Sequence, residues 1–68
     1  MNAVVNGDRA QLPDAFTVAE LVVRLGHDPR GFGIAVALNG EVLPRSGWGQ
    51  TAIHDDDRVE VLIASQGG

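Results

Sequence analysis

One helix-forming segment lies between Thr17 and Gly26, with strand patterns on both sides of it. Thr17 and Glu20 form a capping box, in which each side chain accepts a hydrogen bond from a backbone N–H at the start of a helix. Apolar residues at helical spacing follow, namely Val18, Leu21, Val22 and Leu25. Gly26 stands where helices commonly end in the left-handed conformation. The sequence predicts one helix over residues 18–25, which has to bury its apolar stripe against strands.

The segment before the helix predicts a hairpin. Residues 1–6 alternate in the period-2 pattern of a strand with one face towards a core. Gly7 and Asp8 are predicted to form the turn. Residues 10–12 are predicted to return as a second strand that ends before Pro13, because proline cannot donate a ladder hydrogen bond.

The segment after the helix predicts a second hairpin. Residues 34–38 form an apolar run, and Asn39-Gly40 is the strongest short-range signal for a hairpin turn. Residues 41–43 would be the returning strand. Residues 45–54 are predicted to be irregular, with Trp48 as the one large side chain able to hold this stretch against the body.

Three consecutive aspartates, residues 55–57, predict a polar turn into a last strand over residues 58–64. The element order is then hairpin, helix, hairpin, excursion and final strand. This order is typical of an α+β, ubiquitin-like β-grasp fold. Such a fold has a mixed sheet of four or five strands, the first and last of which lie side by side in the middle, with one helix on one face.

The 68 residues leave room for one domain with one core. We expect a β-grasp domain over residues 1–64 and a flexible tail over residues 65–68, which has no apolar residue to anchor it. The chain contains no cysteine, so neither a disulfide nor a thiolate zinc site can support the core.

Composition excludes several classes of partner. The formal charge is −4, and all five basic residues are arginines, so no basic footprint for nucleic acid is present. No apolar run approaches the roughly 20 residues of a membrane span, and the N-terminus lacks a secretory pattern. We therefore expect a cytoplasmic protein without nucleic-acid or membrane partners.

Side chains with catalytic potential are few and poorly placed for catalysis. His27 and His54 have no metal-binding constellation beside them, and residues 55–57 lack the ligand spacing of a calcium loop. Ser46 and Ser65 have no histidine and acid placed to activate them. We expect no catalytic residue, no metal and no cofactor bound by the chain itself, which argues against an enzyme.

The last two residues, Gly67 and Gly68, are the remaining candidate. Without Cβ atoms they can form a slender thread that enters a narrow active site and exposes an unhindered acyl carbon. A frayed linker is the alternative interpretation, and the two glycines alone do not decide between them.

Four features are jointly specific: residues 35–45 (Ala-Val-Ala-Leu-Asn-Gly-Glu-Val-Leu-Pro-Arg), Trp48, residues 57–61 and the closing Gly67-Gly68. Together they resemble the thiamine-biosynthesis sulfur carrier family, ThiS, over nearly the whole chain. That family usually has Asp-Gly-Asp in the turn before the last strand, and Asp56 stands in place of the glycine. Asp56 is therefore predicted to have a positive φ.

The resemblance implies a β-grasp carrier whose Gly68 carboxylate is adenylated by a ubiquitin-activating-like adenylyltransferase, which uses ATP and Mg²⁺. Sulfur from a donor such as a cysteine desulfurase then displaces AMP. The resulting thiocarboxylate would deliver sulfur to thiazole synthase. Gly67 and Gln66 would be needed in the partner's active site.

Strand alternation suggests a docking surface for these partners. One set of residues in the last strand is predicted to face the helix, namely Val59, Val61 and Ile63. Leu62 and Ala64 would then lie on the open face of the sheet, joined by Val4 on the neighbouring first strand. An apolar patch on so small a protein suggests a partner site.

Other functions remain open from sequence. A related carrier could serve molybdopterin or cysteine synthesis, since these carriers share the fold and the Gly-Gly end. A ubiquitin-like protein modifier or a non-covalent adaptor would also use such a domain.

Overall fold

The computed structural model describes residues 1–64, which form a five-stranded mixed sheet with one α-helix on one face. The predicted flexible tail, and with it Gln66, Gly67 and Gly68, lies outside the described residues. Among residues 1–64, no helix is long and apolar enough to cross a membrane. The elements in chain order are β1 (Asn2–Val5), β2 (Asp8–Gln11), α1 (Val18–Arg24), β3 (Ile34–Leu38), β4 (Glu41–Leu43), a 3₁₀ helix (Arg45–Gln50) and β5 (Arg58–Ile63).

The strand order in the sheet is β2-β1-β5-β3-β4. Strands β1 and β5 are parallel neighbours, with Val5 opposite Val59, and β5 is antiparallel to β3, with Val61 opposite Val36. The predicted central placement of the first and last strands is confirmed. Both hairpins are antiparallel and flank this pair.

Helix α1 begins as the capping box predicts. The Glu20 N–H donates to Thr17 Oγ1 at 3.1 Å, and the Thr17 N–H donates to Glu20 Oε1 at 2.9 Å. The helix ends at Arg24, with Leu25 as its C-cap and Gly26 at φ +89°. Leu25 was expected in the buried stripe and is exposed instead, because it lies at the cap beyond the last helical turn.

The first hairpin turn lies one residue earlier than predicted. Asn6 and Gly7 have φ of 50° and 87°, and Asp8 already pairs with Val5 as the first residue of β2. A two-residue hairpin turn favours positive φ at both central positions, which Asn-Gly supplies more readily than Gly-Asp. The predicted Asn39-Gly40 turn is confirmed, with φ of 51° and 86°.

Residues 45–50 form a 3₁₀ helix, so the prediction of an irregular stretch was wrong there. The Gly47 N–H donates to the Pro44 carbonyl at 2.8 Å within this helix. Trp48 is 3% exposed, and its Nε1 donates to the Leu43 carbonyl at 2.9 Å, so the predicted role of Trp48 in holding this stretch is confirmed. The indole closes one end of the core.

The core lies between α1 and the sheet. Its buried apolar residues come from the strands, the helix and both connections: Ala3, Val5, Leu12, Val18, Leu21, Val22, Val36, Trp48, Ile53, Val59 and Val61. Within residues 1–64 no buried side-chain polar atom lacks a hydrogen-bond partner. The core therefore supplies stability, and chemistry has to be sought at the surface.

Candidate functional site

The chain leaves the sheet at the end of β5. Ile63 pairs with Ile34, and the Ala64 N–H donates to the Gly33 carbonyl at 2.6 Å. The last described residue is therefore fixed beside the start of β3. We call this region, comprising Ile63, Ala64, Gly33 and Ile34, the exit end of the sheet. The three predicted tail residues, Gln66, Gly67 and Gly68, follow it in the chain and lie outside the described residues.

Leu62 lies on the open face of the sheet, next to the exit end. Its side chain is 61% exposed, and the pairing of β5 with β3 places it opposite Ala35. Val42 on β4, which is 78% exposed, pairs with Ala37 on the same face. These four residues, Leu62, Ala35, Ala37 and Val42, form a continuous open-face patch, because residues two apart on a strand share a face about 7 Å apart.

The predicted docking residue Val4 lies on the same face but away from Leu62. It is half-buried and pairs with Arg58, four residues before Leu62 along β5, a separation of about 13 Å. The charged Glu60 lies between them on that face. The third predicted docking residue, Ala64, is exposed at the exit end.

The structure thus brings Leu62 together with β3 and β4 residues that the sequence analysis missed. The signal for them was present. Alternation along residues 34–38 and 41–43 puts Ala35, Ala37 and Val42 on one face, opposite the buried Val36.

Ile63 lies on the helix side of the sheet but is not covered. Exposure along this side of β5 rises from 0% at Val59 to 6% at Val61 and 63% at Ile63. Ile63 is on the predicted side, but it is exposed because it stands at the last paired position of the sheet, beyond the buried core. Exposed apolar side chains therefore lie on both faces of the sheet near the exit end.

A second surface feature precedes β3. The guanidinium groups of Arg30 and Arg45 both lie over the ring of Phe32, 5.3 Å and 5.6 Å from its centroid. Phe32 is 66% exposed. We call Arg30, Phe32 and Arg45 the arginine–phenylalanine cluster. The residue pattern does not predict this cluster, since Arg45 is distant in the chain from Arg30 and Phe32 and only the fold brings it to them.

The loop that carries the cluster is fixed by Asp28. Arg30 donates from Nη2 to Asp28 Oδ2 at 2.9 Å, and the Arg30 N–H donates to Asp28 Oδ1 at 2.8 Å. These hydrogen bonds from Arg30 hold the pKa of the Asp28 carboxyl below its usual value. Asp28 therefore remains ionised as a partner of Arg30.

The aspartate turn lies at the opposite end of β5. Asp55 Oδ1 accepts from the Asn2 N–H at 2.8 Å, and Asp57 Oδ2 accepts from the His54 N–H at 2.8 Å. Asp56 has φ +66°, which confirms the predicted positive φ. The carboxylates of Asp55 and Asp57 thus bond to the backbone, and among residues 1–64 no three His, Asp or Glu side chains are grouped to hold a metal.

A mixed sheet in this strand order, with one helix on one face and the last strand in the middle, defines a ubiquitin-like β-grasp protein. A model of the ThiS family matches residues 3–68. The chain belongs to the ThiS family.

Relatives agree with this assignment. The chain is 32% identical to the sulfur carrier protein ThiS of Escherichia coli K12, with full coverage of both chains. It is 35% identical over 68 residues to a thiazole synthase of Paramagnetospirillum magneticum, of whose length it spans 20%.

Solved structures agree as well. The crystal structure of a thiamine biosynthesis protein (ThiS) from Geobacter metallireducens has a TM-score of 0.82 and 36% identity, with full coverage of both chains. The solution structure of a thiamine biosynthesis protein from the same organism gives a TM-score of 0.79 at 37% identity and covers all of this chain and 88% of that one. The predicted fold and the predicted function, a sulfur carrier of thiamine biosynthesis, are confirmed.

Proposed function

We propose that this ThiS-type carrier holds its sulfur as a thiocarboxylate on Gly68. The observation that carries the proposal is the family match through residue 68, which includes the closing Gly67-Gly68. The chain has no cysteine, so sulfur cannot be held on a thiol of this protein. The carboxylate of Gly68 is the remaining acceptor.

The chemistry needs an activating partner, because a carboxylate resists nucleophiles until one of its oxygens becomes a good leaving group. A ubiquitin-activating-like adenylyltransferase would supply ATP and Mg²⁺. The Gly68 carboxylate oxygen attacks the α-phosphorus, and pyrophosphate leaves. The terminal sulfur of a persulfide on a donor such as a cysteine desulfurase then attacks the acyl carbon, and the C–O bond to AMP breaks. A thiol reductant then cleaves the S–S bond of the resulting acyl disulfide, which leaves the thiocarboxylate on Gly68. Because ATP is consumed, we place this activation in the cytoplasm.

Thiazole synthase is the proposed acceptor of the sulfur. The thiazole synthase relative contains a segment similar to the whole of this chain, which supports a functional link between the two activities. Gly67 and Gln66 would pass into the active sites of both partners, where Gly67 adds no Cβ to obstruct a narrow channel. The chain itself would act as a carrier and co-substrate, without a catalytic residue of its own.

The open-face patch is the proposed docking surface, with Leu62 on its β5 side and Ala64 beside it at the exit end. Leu62 and Val42 expose more than half of their surface, and exposed apolar patches on small proteins commonly mark partner sites. Val4 would contact a partner only if the interface extended about 13 Å along β5.

Mass spectrometry of the protein purified from its own host tests the proposal. The thiocarboxylate adds about 16 Da, which methionine oxidation also adds, so the gain has to be found on the C-terminal fragment. Iodoacetamide should alkylate this form, because the chain offers no cysteine thiol. A variant lacking Gly68 should acquire neither the mass nor the alkylation. Sulfur on that variant, or none on the full chain with its activating enzyme, ATP and a sulfur donor, would overturn the proposal.

A further inference from the structure

The arginine–phenylalanine cluster is a positive, partly apolar surface on an acidic protein. The chain has a formal charge of −4 and five arginines, of which two lie over the one exposed ring of Phe32. Each guanidinium is attracted to the face of the ring, and Asp28 balances the charge of Arg30, so the two arginines can share Phe32. The core does not require the ring, because Phe32 is 66% exposed.

The cluster is held in place by its surroundings. Arg45 donates from Nη1 to the Arg30 carbonyl at 2.6 Å. Gly31, which follows Arg30 in the chain, is buried and has a φ of +77°. It has so little room that a Cβ at this position would lie 2.8 Å from Trp48 Cζ3. The backbone under the cluster is thereby packed onto the core. An arginine fixed in this way loses little conformational entropy when it binds a further group.

The two arginines differ in their charge balance. Arg30 is paired with Asp28 at 2.9 Å. Arg45 forms no ion pair with any carboxylate of residues 1–64, and its one hydrogen bond there uses one of five guanidinium N–H donors. Arg45 therefore retains guanidinium donors and a charge that no carboxylate of residues 1–64 balances, and an external carboxylate would match its planar fork.

The position of the cluster indicates which partner would meet it. Phe32 directly precedes Gly33, whose carbonyl accepts the Ala64 N–H, so the cluster borders the exit end. Any enzyme that takes hold of Gly68 has to approach this end. The open-face patch also reaches this end through Leu62, which pairs with Ala35, so the cluster gives such an enzyme a second, charged contact.

We propose that Arg45, held on Phe32, binds a surface carboxylate of the enzyme that adenylates Gly68. This proposal rests on the proposed function and adds the chemistry of the contact: an aspartate or glutamate of the enzyme, with an apolar side chain against the Phe32 ring. Charge complementarity at the rim of an interface mainly sets the association rate and its salt dependence.

Steady-state kinetics of adenylation by the purified adenylyltransferase of the same source test the contact. The rate is measured as ATP–pyrophosphate exchange. Arg45→Glu should raise the KM for the carrier about tenfold at low salt, leave kcat unchanged, and lose most of this effect at high salt. Phe32→Ser, which removes an exposed ring, should raise KM in the same direction. The matched control is Arg24→Glu, which makes the same charge reversal at an exposed arginine of α1. The guanidinium of Arg24 lies 5.3 Å from the centroid of the Phe16 ring.

The outcomes separate the contact from the carrier function. Equal KM values for Arg45→Glu and Arg24→Glu would show that only net charge matters and would overturn the contact. If Phe32→Ser unfolds in urea as the wild type does and its KM is unchanged, the proposed contact is overturned as well. This holds even if Arg45→Glu fails to fold. No exchange with the wild-type chain would overturn the proposed function itself, and the contact with it.

Discussion

The side-chain amide of Asn39 donates to Asp57 Oδ1 at 3.0 Å and ties the β3–β4 turn to the turn that precedes β5. The amide oxygen of Asn39 accepts from the Arg58 N–H at 2.9 Å in the same link. Both turns belong to strands that are neighbours in the sheet, although the residues are 18 positions apart in the chain. Asn39 therefore shapes its own turn and also fixes where the central strand begins.

Replacing Asp57 tests this link through pH. Partial burial raises the pKa of Asp57, but hydrogen bonds from the Asn39 amide and the His54 N–H, with the nearby His54 charge, lower it, and the net pKa lies below its usual value. A depressed carboxylate pKa stabilises the fold above the unfolded-state pKa of about 3.9, and that stability is lost as pH falls through the folded pKa. Asp57→Asn should cost about 1 kcal/mol at pH 7.

Urea unfolding at a series of pH values checks the sign. The gap in unfolding free energy between wild type and Asp57→Asn should be constant at neutral pH and should shrink below about pH 4. Asp55→Asn is a control, because that side chain accepts from Asn2 and not from Asn39. A gap for Asp57→Asn that grows on acidification would contradict the assigned direction of the pKa shift.

Gly31 is needed for two separate reasons, which two variants can separate. Its φ is +77°, and a Cβ would come within 2.7 Å of Arg45 Cδ and 2.8 Å of Trp48 Cζ3. Gly40 has a similar φ of +86° but open space around it. Gly40→Ala should cost about 1 kcal/mol through the backbone alone. Gly31→Ala should cost at least about 1 kcal/mol more, because the indole has to shift within a packed core.

Thermal unfolding, with Trp48 fluorescence as the probe, measures both variants. The emission spectrum of folded Gly31→Ala should differ from that of wild type, whereas the spectrum of Gly40→Ala should not. Equal losses of stability in the two variants would show that the Trp48 contact adds nothing to the requirement for glycine at position 31.

Ala15 offers an opposite test, since it adopts a conformation better suited to glycine. Its φ is 62°, in the tight turn that Phe16 N–H closes onto the Pro13 carbonyl at 3.2 Å. Ala15→Gly should stabilise the protein by up to about 1 kcal/mol, because the strain relieved exceeds the entropy added to the unfolded chain. Ala19→Gly, within α1, should destabilise it by about 1 kcal/mol. A loss of stability in Ala15→Gly would contradict the turn geometry.

The sequence predicts what local chemistry decides. The Thr17–Glu20 capping box and the Asn39-Gly40 turn each depend on a few neighbouring residues, and both are confirmed. The positive φ of Asp56 followed from the resemblance to the family, and it is confirmed as well. The Asn6-Gly7 turn carried the same signal as Asn39-Gly40 and could have been predicted from it.

Features that depend on how far the core extends could not be predicted in the same way. Alternation puts Ile63 on the helix side of the sheet, but it does not show that β5 extends beyond the buried core at this position and leaves Ile63 exposed. The contact between Arg45 and Phe32 requires a loop fold that no periodicity encodes. The relation of Leu62 to Val4 depends on the register of parallel strands, which the residue pattern leaves undetermined.

Leu62 provides the test of the open-face patch. Its side chain is 61% exposed and pairs laterally with Ala35, so Leu62→Asp should leave the fold intact while placing a charge within the patch. Binding to the activating enzyme, measured by titration calorimetry, should weaken by at least about tenfold, because a desolvated carboxylate would lack a partner in an apolar interface. Val23→Asp is the control, since Val23 is 52% exposed on α1, away from the open face. A charge buried within an interface cannot be neutral to binding unless the partner docks elsewhere. Equal affinities for Leu62→Asp and wild type would therefore remove the open-face patch from the interface. The arginine–phenylalanine cluster would then be the surface to test.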